Sequence, residues 1–226
     1  MKHLFGIALL LICASLRAQE NAKNDPLHPV EPTITFDRYW EPATPQEFTV
    51  KVKASGAASY LSRNPTRIDK ESHQSDPDYV VDFTMSPAIL DRLFVLAKQT
   101  NYFQGNFEFK HKVADTGKKT LTYADPVRHS EASYNFSENK NVDEITKMFQ
   151  GISMTIEHGR KLEFMHRFDK LGLEDELKSL EVMAKAGELS EIRIIAPVLH
   201  KIADDNAVLH IARQRAQGLL AMAGTP

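Results

Sequence analysis

The chain has 226 residues, with 28 lysines and arginines against 30 aspartates and glutamates. So even a balance supplies no broad cationic field, and nucleic acid is not an expected partner. The only cysteine, Cys13, lies in the N-terminal apolar stretch. Beyond it the sequence offers no disulfide, thiolate nucleophile or cysteine-based metal site.

That stretch has the layout of a secretory signal. Lys2 and His3 precede an apolar run from Leu4 to Ile12, broken only by Gly6, and Ala14-Ser15-Leu16-Arg17-Ala18 leads into polar sequence. A basic start, a short apolar segment and a small-residue cleavage site predict export by a bacterium, with cutting after Ala18. The run is shorter than the roughly 20 residues needed to span a bilayer. No later run reaches that length, so the mature chain is expected to carry no transmembrane span. The expected location is periplasmic or extracellular. A lipid anchor through Cys13 is the alternative; Ile12, rather than a small residue, precedes it.

Residues 19–32 are polar and hold Pro26, Pro29 and Pro32, which predicts a disordered lead-in. Period-two alternation then begins. Ile34, Phe36 and Trp40 form one row, interrupted by Arg38. Phe48, Val50 and Val52 alternate with Thr49, Lys51 and Lys53. Ser55-Gly56 marks a turn, and Ala57 to Ser62 returns as the hairpin partner. Residues 64–77 read as a surface loop, followed by a strand carrying Tyr79, Val81 and Phe83. Ser86-Pro87 signals a helix start, with Ser86 as cap and Pro87 in the first turn. Ile89, Leu93, Leu96 and Ala97 form its apolar face. Further strands are predicted over 107–113, 119–123 and 133–137, with Asp115-Thr116-Gly117 as a turn. Strands with one wet face imply an antiparallel sheet covered on its apolar side by the helix.

From Asn141 the period becomes helical. Asn141 is the expected cap, and Ile145, Phe149, Ile152, Ile156, Leu162, Met165 and Phe168 form one stripe. Gly172 reads as a C-cap. A second helix carries Leu173, Leu177, Leu180 and Met183. A third is capped by Ser190 and carries Ile192, Ile195, Leu199 and Ile202. A fourth carries Leu209, Ala212, Ala216 and Leu219. The predicted fold is α+β: an antiparallel sheet with one covering helix, then a C-terminal helical bundle or HEAT-like hairpins. The expected division is a signal at 1–18, a lead-in at 19–32, the α+β domain at 33–140, a helical module at 141–222 and a flexible tail at 223–226. The stripe from Ile145 needs cover from the sheet, and its continuation from the later helices, so one helix is expected to serve both cores.

Three constellations bear on chemistry. Asp115-Thr116-Gly117 matches the motif of aspartic proteases, in which two carboxylates share one proton. Here Lys118 and Lys119 follow, and a hairpin turn explains the same residues. Asp115 is the weak catalytic candidate of an acid-hydrolase alternative. Glu163 and His166 form a Glu-x-x-His pair on a helix, half of a carboxylate-bridged di-iron motif, without a second copy. His111 falls in the apolar register of Phe107, Phe109 and Val113, as a core or edge histidine or a ligand. Glu163, His166 and His111 are thus weak metal candidates. No cofactor is expected.

Phe48-Thr-Val-Lys-Val, Asn101-Tyr-Phe-Gln-Gly and Val113-Ala-Asp-Thr-Gly-Lys-Lys-Thr-Leu-Thr-Tyr together resemble exported bacterial α+β domains of no assigned activity. The resemblance implies a fold and no chemistry. Ile194 to Asp205 and Val208 to Leu220 resemble a HEAT-type helical hairpin, with Pro197 as its mid-helix proline. That resemblance implies a contact surface for protein or another envelope component. The functional expectation is an exported, non-catalytic binding or scaffold protein.

Overall fold

A computed structural model describes residues 29–65 and 77–224. The signal-like segment, Cys13, Ala18, most of the lead-in and most of the 64–77 loop lie outside the described residues. Six strands form one antiparallel sheet: β1 (Thr33–Tyr39), β2 (Glu47–Lys53), β3 (Ala57–Arg63), β4 (Tyr79–Thr84), β5 (Lys118–Ala124) and β6 (His129–Tyr134). Their spatial order is β4-β3-β2-β1-β5-β6. β1 to β4 are laid down as successive antiparallel neighbours, and β5 returns to pair on the free side of β1. Helix α1 (Pro87–Gln99) intervenes before that return.

Alternation decides which face is dry. Phe36 pairs with Val50 on one side and Leu121 on the other, and Val50 pairs with Tyr60. All four are fully buried. The intervening Thr35, Thr49 and Thr122 are only half-buried, and Lys51 is exposed. The dry face is covered by α1, through Leu93, Leu96 and Ala97, and by the first half of α2 (Lys140–Phe168). Phe149 of α2 stacks flat on Phe36, with centroids 5.1 Å apart and 4° between planes. Further along α2, Leu162 belongs to a second cluster with Leu177, Leu180, Leu199, Ile202 and Leu219. These come from α3 (Leu173–Lys185), α4 (Ala196–Asp204) and α5 (His210–Met222). One helix therefore contributes to both cores. Gly159 permits this closeness, since a Cβ there would lie 2.3 Å from Cγ2 of Ile195.

Several local expectations need correction. Residues 107–113 form no strand: after a short 3-10 turn, Asn101–Phe103, the chain runs irregularly to Lys118. Side-chain bonds replace a ladder there. Glu108 Oε2 accepts from the Asn135 amide at 2.5 Å, and Asn135 Oδ1 accepts from the Thr116 amide at 2.8 Å. The strand expected at 133–137 is β6, ending at Tyr134. Its turn from β5 uses Asp125, whose Oδ1 accepts from the Val127 and Arg128 amides. Asn139, not Asn141, caps α2, accepting from the amides of Asn141 and Val142. Ser86 does not cap α1 with its side chain, because its hydroxyl is given to Glu191. Gly172 opens α3 rather than closing α2, and Ser190 does not cap a helix; a 3-10 turn, Ile192–Ile195, follows Glu191. Pro197 stands in the first turn of α4, where its missing N–H costs nothing, not mid-helix. Phe168 is 64% exposed rather than part of the buried stripe.

Candidate functional site

The sheet and the helical part meet in a polar cluster on α2. Tyr60 of β3 is fully buried; its hydroxyl donates to Glu157 Oε1 at 2.8 Å and lies 3.1 Å from Ser153 Oγ. Ser62, two residues along the same strand face, donates to the same oxygen at 2.6 Å. Burial pushes the Tyr60 phenol far above its ordinary range, and the Glu157 carboxylate adds to this. A neutral phenol is therefore kept as a donor to a carboxylate. One residue on, His158 Nδ1 lies 2.5 Å from Glu176 Oε1 of α3, and Lys161 Nζ lies 2.5 Å from Oε2. Burial opposes ionisation of Glu176, but the bonds from Lys161 and His158 prevail and hold its pKa below the usual value.

Of these groups Glu157, His158 and Lys161 line an open cleft of about 490 Å³, bounded also by Thr44, Asn64, Arg160 and Phe164. Two strand-end loops, helix α2 and an exposed aromatic ring thus form one concavity. Asn64 is itself fixed, its Oδ1 accepting from the Gln46 amide at 3.1 Å. Arg160 lies 4.6 Å over the Tyr79 ring. The cleft pairs cationic groups and an imidazole with one carboxylate and an apolar wall. That lining suits a ligand or surface with anionic and apolar parts.

The apolar wall continues beyond the cleft. Phe164, Phe168 and Leu171 are 60%, 64% and 78% exposed. The two rings stack obliquely at 5.1 Å, and Arg167 lies 5.0 Å from the Phe168 centroid. A spacing of four residues places the two rings together on α2, and Leu171 follows in the turn beyond the helix end.

The residues singled out from sequence are dispersed. Asp115 is exposed, and its Oδ1 accepts from the Gly117 amide at 2.9 Å, closing a local turn. His111 is exposed and edge-on to Phe109 at 5.2 Å, which removes it from the core register. Its irregular segment contributes to a separate cavity of about 350 Å³. His166 Nε2 lies 2.9 Å from Asp205 Oδ2, which Lys170 also contacts at 2.6 Å. The Lys170 bond, with those from the Ala207 amide and His166, draws Asp205 down to about 2. Glu163 is exposed and lines a different, smaller cavity. Among the described residues, no group of three or more His, Cys, Asp or Glu side chains is placed to hold a metal.

Two buried ionic features were not foreseen. Glu191, with a side chain 1% exposed and φ of 57°, accepts from the Ser86 amide at 2.6 Å and its hydroxyl at 2.7 Å. Arg193 braces it at 2.9 Å and donates to Thr84 O at 2.7 Å. The helical part thereby caps the first helix of the α+β part. Lys119, 4% exposed, sits opposite Arg38 in the β1–β5 register. Its ammonium donates to Asn135 O at 2.7 Å, Thr116 Oγ1 at 2.9 Å and Gly117 O at 3.0 Å. Burial pushes its pKa down to about 8, Arg38 adds to this, and Asp115 and Glu108 oppose it. No protein-family model matches the chain, and no curated protein matches it.

Proposed function

We propose that this chain is a non-catalytic binding protein of the bacterial envelope, exported by its N-terminal segment. The observation that carries the reading is the cleft of about 490 Å³ walled by exposed Phe164, on which exposed Phe168 packs, with exposed Leu171 in the turn that follows. Large apolar side chains gathered on a surface and rimmed by polar groups mark an interaction site. The Lys2-to-Ala18 layout supports export, and the shared helix α2 supports a rigid surface rather than a mobile one.

Expression of the full chain in a bacterial host tests this. Fractionation is expected to place the protein outside the cytoplasm, with an intact mass beginning at Gln19. The F164S/F168S/L171S variant is expected to be exported equally but retained less in the envelope fraction. A cytoplasmic protein that keeps Met1, or a variant retained as well as the parent, overturns the proposal. An intact mass showing a diacylated Cys13 would replace the soluble form by an anchored one.

A further inference from the structure

We propose that Arg38, set beside Lys119 and Trp40 at one end of the sheet, anchors a small oxyanion, a carboxylate or a phosphate group. None of these three residues lines the cleft, and the inference goes beyond the role proposed for it. In the sequence Arg38 interrupts the apolar row of Ile34, Phe36 and Trp40. Period-two alternation keeps it on the same covered face as Phe36. Across that end of the sheet the register runs Ser62, Phe48, Arg38, Lys119 and Tyr134. The neighbouring row, Tyr60, Val50, Phe36, Leu121 and Ala132, is buried throughout. Two cations thus stand directly opposite each other, an arrangement that destabilises a strand pair.

The two cations differ in what they lack. Lys119 gives its three protons to oxygens of Asn135, Thr116 and Gly117, so it supplies charge and no further bond. The acids that act on it, Asp115 and Glu108, accept from the Gly117 and Asn135 amides. Arg38 has the rings of Trp40 and Phe48 centred 5.5 Å and 5.6 Å from its guanidinium carbon. Those rings attract a cation but leave its N–H groups without an acceptor oxygen. Its Nε is buried and unpartnered, and no carboxylate among the described residues pairs with it. Arg63, Arg213 and Arg215 also have an unpartnered Nε. Through their outer nitrogens, however, Arg63 and Arg215 reach carboxylates and Arg213 an amide oxygen. Arg38 alone of these four holds no counter-group. Burial draws its pKa below the ordinary arginine value, a cost that no counter-charge offsets. An oxyanion laid along the guanidinium supplies both the charge and the acceptors, in the fork geometry of arginine with carboxylate or phosphate. Lys119 adds its field. Arg38 is only half-buried, so the ligand reaches it from solvent.

Trp40 is the only tryptophan, so its fluorescence reports on the site directly. The protein recovered after expression of the full chain is titrated with acetate and with phosphate, against chloride at constant ionic strength, which holds screening fixed. The expected result is a saturable fluorescence change and a raised melting temperature with an oxyanion, and neither with chloride. A response to acetate alone assigns the site to carboxylates, and a response to phosphate alone assigns it to phosphoryl groups. R38M should weaken binding more than about tenfold, because the charge-assisted bonds are lost. R38K should weaken it less, since it keeps the charge without the fork. In chloride, R38M should melt no lower than the parent, because it removes an unpaired, partly buried charge and keeps the stem. Saturating oxyanion should reverse that order. The inference is overturned by responses to both oxyanions no greater than to chloride, or by R38M binding as tightly as the parent. It is overturned equally by R38M melting well below the parent in chloride, which would make Arg38 a structural residue with no need of a ligand. Failure of oxyanion binding leaves the reading of the cleft standing.

Discussion

Phe149→Ala tests whether the two cores fold as one. Phe149 is fully buried and stacks on Phe36, while the same helix supplies Leu162 to the second cluster. Truncating a buried phenylalanine costs about 3–5 kcal/mol, from lost transfer free energy and the cavity left behind. With a urea dependence of about 2.5 kcal/mol per molar, the midpoint should fall by roughly 1–2 M. Trp40 is the only tryptophan and stands beside the sheet, so its fluorescence follows that half. Far-UV circular dichroism follows mainly the helices. Both curves should shift together and keep coincident midpoints. If Ala leaves too little stability to measure, Phe149→Leu should give the same pattern at about 1–1.5 kcal/mol. A dichroism transition that stays at the parent midpoint, while fluorescence shifts, would refute the shared-helix argument and make the halves independent modules.

Glu191→Ala should cost about 3 kcal/mol, because it leaves the Ser86 amide and hydroxyl without their buried acceptor and Arg193 without its partner. Hydrogen exchange should accelerate in the first turn of α1, and unchanged protection there would show that the clasp does not hold it. Lys119 gives a pH signature. Its folded pKa of about 8 lies below the ordinary 10.5, so between these values the unfolded chain holds more protons and stability rises with pH. Lys119→Met should abolish that rise between pH 8 and 10 in thermal melts, and an unchanged profile would show that Lys119 is not the responsible group. Above that window Tyr60 and Tyr134 reverse the trend, because burial raises both folded pKa values and the unfolded phenols ionise first.

The fold class was legible because burial enforces period. Phe48, Val50 and Val52 face one dry surface, and Ile145, Phe149 and Ile152 cover it. What misled was apolar alternation without a ladder. Phe107, Phe109 and Val113 have strand spacing, yet Glu108 and Asn135 satisfy the neighbouring backbone with side chains, so no strand forms. Phe168 misled in the opposite sense, since it continues a helical period after the helix has left its cover. The cleft was less legible still. Glu157 stands more than 90 positions from Tyr60 and Ser62 and meets them only through packing, and each alone is an ordinary strand or helix residue. A signal did exist on α2: Glu157, Lys161, Phe164 and Phe168 recur at helical spacing, a second stripe opposite the buried one.

The two stripes of α2 explain why exposed aromatic side chains sit beside the cleft. A helix of 29 residues is about 44 Å long, longer than one small sheet domain covers. Its first half is buried on the sheet, through Ile145, Phe149 and Ile152. Its second half turns Leu162 to the later helices and leaves Phe164 and Phe168 outward. The polar groups between, Tyr60 with Glu157 and His158 with Glu176, lie where the helix passes from one core to the other. Packing alone would favour polar residues at 164, 168 and 171, since burial gains nothing there. Large apolar side chains at those positions are the feature on which the proposed binding role rests. The joint between the cores thus sets a helix end held by both of them beside a concave cleft.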